Sequence, residues 1–149
     1  MKKYELTGET INVFGKTLHR IRATRDFSNV HAGDLGGFIE DERNLSHDEN
    51  AWVGGNARVS GNAWVGGNAL VKGPRDIYWI SCIGSRNGTT TFFRNADNGI
   101  SVACGCFYGT IDEFAAAVTK THGDNEHAQA YRHAIEIAKL RIELEVAKS

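Results

Sequence analysis

The sequence has very little proline, no long apolar run and no strong net charge. A single proline, Pro74, accompanies 17 glycines among 149 residues, which indicates that glycine makes most of the tight backbone corners. No apolar stretch approaches the ~20 residues that a membrane-spanning helix requires. The formal net charge of −1 gives no general attraction to nucleic acid or to an anionic membrane. We therefore expect a small globular protein that binds neither membrane nor nucleic acid.

Cysteine is also scarce, and its three positions form no familiar site. Residues 1–9 contain no apolar segment of the kind that begins a signal peptide, so we expect reduced thiols in a cytoplasm. The spacing of Cys82, Cys104, Cys106 and His122 matches no structural zinc site. Alternation in a strand would place Cys104 and Cys106 on one face as small buried hydrophobes, while a nucleophilic cysteine with His122 as its base stays open. No cofactor, metal or catalytic residue is predicted.

The centre of the chain repeats with a period of six residues. Valine recurs at Val53, Val59, Val65 and Val71, and alanine recurs two residues earlier at Ala51, Ala57, Ala63 and Ala69. This hexapeptide pattern is typical of a left-handed parallel β-helix, in which each valine points inward and each alanine fits a crowded corner. The strict register disfavours a flexible low-complexity linker.

The repeat extends backwards with one irregularity. Ile39 and Leu45 are six residues apart, but Leu45 and Val53 are eight apart, which predicts a two-residue bulge around residues 47–49. From Ile39 the pattern gives about two coils, with the β-helix over residues 34–73. Two coils are too few to bury a core alone, so other parts of the chain or other copies must cover the ends.

Upstream of the repeat, residues 4–30 predict a β-hairpin that caps the coil. Arg20, Arg22 and Arg25 in its second half could bind phosphate, or they could be the exposed charges of an edge strand.

Pro74 marks the predicted boundary between two domains, because the hexapeptide pattern stops there. The predicted domains are therefore residues 1–73, with the hairpin and the β-helix, and residues 74–149, a small α+β module.

The second module predicts a three-stranded meander followed by two helices. Apolar segments at residues 77–83, 89–93 and 100–104 are separated by Asn-Gly turns at 87–88 and 98–99. Residues 110–113 read as a capping box that begins a helix with Phe114 and Val118 on its inner face, and Gly123 ends it.

The second helix is predicted from near Asp124 to the C-terminus, and it is apolar on more than one side. One stripe contains Tyr131, Ile135, Ala138 and Ile142, and another face contains Ala130, Ala134, Ile137 and Leu144. Because one small sheet cannot cover both faces, we expect this helix to drive self-association, as a homotrimer first and a homodimer second.

The clearest candidate binding residues are polar side chains of the second module: Arg86, Thr89, Thr91, Arg94 and His122. Two arginines with nearby hydroxyls could hold a phosphate or an acidic partner surface. The alternative is an ordinary exposed meander face. His47, at the predicted bulge, is either a general base of the hexapeptide acyltransferase kind or a structural corner residue.

Residues 25–40 (RDFSNVHAGDLGGFIE) and 44–48 (NLSHD) resemble a bacterial, prophage and phage family of hexapeptide-repeat proteins. Its members are labelled polymer-forming, or putative transferases of the YdcK type, and the resemblance covers roughly residues 1–73. Residues 84–87 and 104–114 look like a segment of phage proteins of unknown role. The resemblance implies a short β-helix beside a small α+β module, encoded by a phage or prophage accessory gene. It brings no catalytic residues with it.

Two functions follow as hypotheses. The first is a non-enzymatic phage or prophage accessory protein in the host cytoplasm, which antagonises antiviral defence by binding a host defence protein or sequestering a small nucleotide signal. The second is a hexapeptide-type acyl- or nucleotidyltransferase. Small size and the lack of a catalytic motif favour the first.

Overall fold

The computed structural model describes residues 2–142 and 144, and the chain divides into two compact units, residues 1–74 and 75–149. The first unit holds β1 (Tyr4–Val13), β2 (Lys16–Ala23), β3 (Leu35–Ile39), a 3-10 turn (Glu42–Asn44), β4 (Trp52–Val53), β5 (Arg58–Val59) and β6 (Leu70–Val71). A second 3-10 turn (Pro74–Asp76) lies at the boundary. None of the helices among the described residues is long and apolar enough to cross a membrane.

The expected hairpin is present at the start of the first unit. β1 and β2 pair antiparallel, and β3 adds to β2 as a third antiparallel strand. Phe14 and Gly15 form the turn with φ of 50° and 84°, a left-handed conformation that a tight hairpin requires. Phe14 is fully exposed at this tip.

The hexapeptide region pairs with itself in parallel. Three pairs join residues eighteen or twenty positions apart: Ile39 with Val59, Leu45 with Val65, and Val53 with Val71. These six side chains are at most 1% exposed and lie in the core of the first unit. The four valines thus lie inside, as the repeat predicts. The extra two residues between Leu45 and Val53 account for the unequal spacing.

Left-handed corners recur with the same six-residue period. Gly55, Gly61 and Gly67 have φ of 57°, 63° and 60°. At Gly55 a Cβ would also lie 2.3 Å from the Lys72 carbonyl oxygen, so this corner excludes every other residue. The repeat therefore encodes where the chain turns as well as what it buries.

The second unit is a four-stranded antiparallel sheet with two helices, which corrects the three-stranded prediction. Its strands are β7 (Ile77–Ile83), β8 (Gly88–Arg94), β9 (Ile100–Cys104) and β10 (Phe107–Thr110), in the order β10-β9-β8-β7. Gly105, with φ of 56°, lets the chain reverse directly after Cys104, and Phe107 pairs back with Cys104.

Both helices form where the sequence predicts them. α1 (Ile111–His122) begins with the Thr110–Glu113 capping box and ends at Gly123. α2 (Glu126–Arg141) has Asn125 as its N-cap. The expected continuation of α2 to the C-terminus falls partly on residues 143 and 145–149, outside the described residues. Both helices, and Ile142 directly after α2, bury apolar side chains against the sheet; the helical ones are Phe114, Val118, Ala128, Tyr131, Ala134, Ile135 and Ala138.

Candidate functional site

In the described part of the second unit, a cavity of about 850 Å³ lies between the β8–β9 turn, the start of α1 and the end of α2. In its lining, the Asn95 side chain donates to the Ser101 hydroxyl and accepts from the Gly99 N–H. A smaller cavity, of about 240 Å³, is lined by a thiol, a phenol and an imidazole, and we call it the Cys104 pocket. It is formed chiefly by Cys104, Phe107, Phe114, Thr121, His122 and Tyr131.

Cys104 lies at the end of β9, where two hydroxyl groups approach its sulfur. Thr90 is its cross-strand partner on β8, and the Thr90 hydroxyl donates to Sγ at 3.1 Å. The Tyr131 hydroxyl lies 3.7 Å from the same sulfur. The Cys104 sulfur is therefore contacted from the sheet by Thr90 and from α2 by Tyr131.

The Tyr131 hydroxyl is confined between β9 and the β7–β8 turn. A Cβ at Gly84 would lie 1.9 Å from the hydroxyl oxygen, so the phenol fits only because residue 84 is glycine. Burial, and then the hydrogen bond with Cys104, raise the pKa of Tyr131 to about 12. The phenol therefore keeps its proton at neutral pH and stays both a donor and an acceptor.

Aromatic rings make the walls of the pocket. Phe114 meets Tyr131 edge to face, with centroids 5.3 Å apart at 88°, and Phe107 lies 5.3 Å from Phe114. The His122 ring lies nearly parallel to that of Tyr131 at 5.9 Å, and His127 is 5.4 Å from His122. Such walls suit a planar ring, which can stack on one face and meet the edge of another.

The structure does not bring the five predicted binding residues together. Arg86 lies two residues before β8, and Arg94 is the last residue of β8. A seven-residue strand of this kind spans roughly 20 Å, so the two arginines are at opposite ends of it. Thr89 and Thr91 share one face of β8, where Thr89 bonds Ser81 and Thr91 is 1% exposed. Of the five, only His122 lines the Cys104 pocket.

Arg94 is a buried side chain rather than a surface donor. Arg94 is 7% exposed, and its guanidinium faces Asp76 at 3.9 Å and the Asn98 side chain at 3.4 Å. Arg86 is exposed on the β7–β8 turn, two residues after Gly84. Because Gly84 touches the Tyr131 hydroxyl, the long Arg86 side chain belongs to the same end of the sheet as the pocket.

Sequence reasoning missed Thr90, Phe107 and Tyr131. Side chains alternate along a strand, so Thr90 faces the helices when Thr89 and Thr91 face away. Tyr131 was assigned to the core stripe of α2, and it does belong there, but its hydroxyl is the polar end of a buried ring. The one available signal was that tyrosine is the only member of that stripe with a hydrogen-bonding group.

The prediction that Cys104 and Cys106 share one buried strand face is wrong, because the strand ends between them. Cys104 is half-buried, whereas Cys106 and Cys82 are exposed, and all three are free thiols. Among the described residues, no group of three or more histidine, cysteine or acidic side chains is arranged to hold a metal ion.

His47 is fully engaged in the first unit. Its Nδ1 accepts from the Lys3 backbone N–H at 3.0 Å, its Nε2 lies 2.8 Å from the Glu42 carboxylate, and its ring stacks on Tyr4 at 4.0 Å.

No family profile and no curated protein matches this chain.

Proposed function

We propose that the protein is a non-enzymatic binding protein whose Cys104 pocket takes up the heterocyclic ring of a small nucleotide signal. The observation that carries this proposal is the pocket itself, where aromatic walls surround a protonated phenol, a thiol and an imidazole. A ligand site is usually concave and largely apolar, with a few polar groups that fix orientation.

The pocket suits a nucleobase in size and chemistry. Its volume of about 240 Å³ accommodates one ring system, since even an engineered apolar cavity of roughly 150 Å³ holds benzene. Tyr131 and His122 would bond ring nitrogens or exocyclic groups, while Phe107 packs on the ring. Arg86, exposed at the adjacent turn, would pair with a phosphate outside the pocket.

The biological setting rests on the resemblance of residues 25–40 and 44–48 to phage and prophage proteins. In that setting, a protein that binds a nucleotide without converting it would remove a defence signal from the host cytoplasm. A host defence protein is the other partner class, and the experiment below separates the two.

The transferase alternative is disfavoured by the contacts of His47. A general base needs one ring nitrogen free for the substrate proton. Here one nitrogen accepts from a backbone amide and the other meets a carboxylate, so the imidazole has a structural role.

We further propose that residues 34–73 are two coils of a left-handed β-helix, capped by the β1–β2 hairpin. The three parallel pairs, one for each face of a triangular coil, support this winding. The left-handed glycine corners at six-residue intervals support it as well.

The test is calorimetric titration with cyclic mononucleotides, cyclic dinucleotides and nucleotides derived from NAD. We expect one class to bind, and Tyr131→Phe to weaken it about tenfold by removing one buried hydrogen bond. Phe107→Ala should weaken it by removing a wall. Tyr108→Phe removes a tyrosine hydroxyl that does not line the pocket, so this variant is the matched control and should bind normally.

Failure of every nucleotide to bind the folded protein would contradict the nucleotide assignment. Co-purification of a host protein that Tyr131→Phe leaves intact would favour the protein partner instead.

A further inference from the structure

α2 carries an exposed stripe on the side away from its buried face. The members of this stripe are spaced alternately four and three residues apart, as in a coiled-coil seam: Glu126, Ala130, His133, Ile137 and Leu140. Ile137 is 40% exposed and Leu140 is 77% exposed. We call these five residues, with Arg141 at the end of the helix, the α2 stripe.

We propose that the α2 stripe binds the same stripe of a second copy of this chain, with the two helices antiparallel. The stripe is acidic at its start, through Glu126, and basic at its end, through Arg141. Antiparallel pairing brings each glutamate beside the partner's arginine, whereas parallel pairing would place like charges together. A two-fold axis therefore satisfies both ends at once.

The register that joins Glu126 to Arg141 also matches the apolar side chains by size. It places the small Ala130 of each copy opposite Ile137 of the other, and brings the two His133 side chains near the axis. Alternation of small against large lets two helices approach closely along a seam. The pairing is thus self-complementary in charge and in shape, and it specifies a dimer rather than the trimer that the sequence favoured.

The decisive experiment uses two charge-reversal variants of the full chain, Glu126→Arg and Arg141→Glu. In the wild type, sedimentation velocity at micromolar concentration should return twice the chain mass of 16.3 kDa. Each variant alone places like charges at both ends of the pair, and we expect its dissociation constant to rise at least about tenfold. An equimolar mixture restores both attractive contacts, so the mixture should form a heterodimer near the wild-type affinity.

The controls separate association from folding. Lys139→Glu reverses an exposed charge on another side of α2 and should leave the dimer unchanged. Circular dichroism checks that each variant keeps its helices, since both reversals oppose the helix dipole. A monomeric or trimeric wild type, or a mixture that stays as monomeric as its components, would overturn the proposal.

Discussion

Lys3 is buried, and among the described residues no carboxylate lies within ion-pair distance of its ammonium group, although Asp48 and Glu49 are near enough to favour its charge. It is fully buried, its ammonium group donates to the Ala51 backbone oxygen, and it lies 5.0 Å from the centre of the Phe27 ring. Burial, and then the nearby Arg25, lower the pKa of Lys3 from its usual 10.5 to about 8. The charged form is therefore disfavoured in the folded protein.

This shift gives a prediction about stability and pH. Between pH 8 and 10.5 the unfolded chain holds a proton at Lys3 that the folded protein has released, so the free energy of unfolding should rise with pH. Tyr4 acts in the opposite direction: burial raises its pKa above the usual 10, so stability falls above that pH. The free energy of unfolding, measured in urea, should therefore rise from pH 8 and pass through a maximum near pH 10.

Lys3→Met should remove the rise above pH 8 and keep the fall above pH 10. Lys2→Met is the control, because the Lys2 side chain is 70% exposed, and the rise should persist in that variant. A rise that survives Lys3→Met unchanged would show that another group causes it.

At the scale of elements, α1 begins with the capping box that was predicted at residues 110–113, in which Thr110 and Glu113 each bond the other's backbone N–H. Thr110 Oγ1 accepts from the Glu113 N–H at 3.2 Å, and the Glu113 carboxylate accepts from the Thr110 N–H at 2.9 Å. These bonds from Thr110 lower the pKa of Glu113. Since a lowered carboxyl pKa contributes stability above the unfolded value, this contribution is lost as the pH falls through the folded pKa.

Thr110→Ala should cost about 1 kcal/mol of unfolding free energy in urea, because one helix N–H loses its acceptor. Glu113→Gln keeps an amide oxygen for the Thr110 N–H, so we expect a smaller loss at neutral pH and a weaker dependence on acid. Equal losses in the two variants would argue against the reciprocal cap.

Some elements could be predicted from the sequence and others could not. The capping box, the Gly123 stop and the inward valines were predictable because each signal is local or strictly periodic. β10 was not, because the segment around Gly105 reads as one continuous strand until a left-handed glycine reverses it. The Cys104 pocket was not either, since Cys104 and Tyr131 are 27 residues apart and meet only after α2 packs on the sheet.

At the scale of the whole molecule, each unit has its own core, and the paired hexapeptide positions are at most 1% exposed in the core of the first unit. Val59 is completely buried opposite Ile39, whereas its strand neighbour Arg58 is exposed. Val59→Asp should cost several kcal/mol, comparable with the total stability of a small domain, because an unpaired carboxylate would enter the core.

Hydrogen exchange should then detect lost amide protection throughout residues 35–71. Arg58→Asp introduces the same side chain one position away, on the exposed face, and should change stability by less than about 0.5 kcal/mol. Full protection in Val59→Asp would contradict the burial of this position.

The parallel pairing of Val53 with Val71 has a consequence for how such a chain can lengthen over evolution. The segment from residue 54 to residue 71 leaves a stacked position and returns to the equivalent position one layer further on. An in-frame tandem duplication of its coding sequence would therefore insert a complete layer with valines, alanines and glycine corners already in phase. The regular stretch that contributes buried valines to the core is therefore also the part of the chain whose length can change by eighteen residues while the pairing pattern is kept.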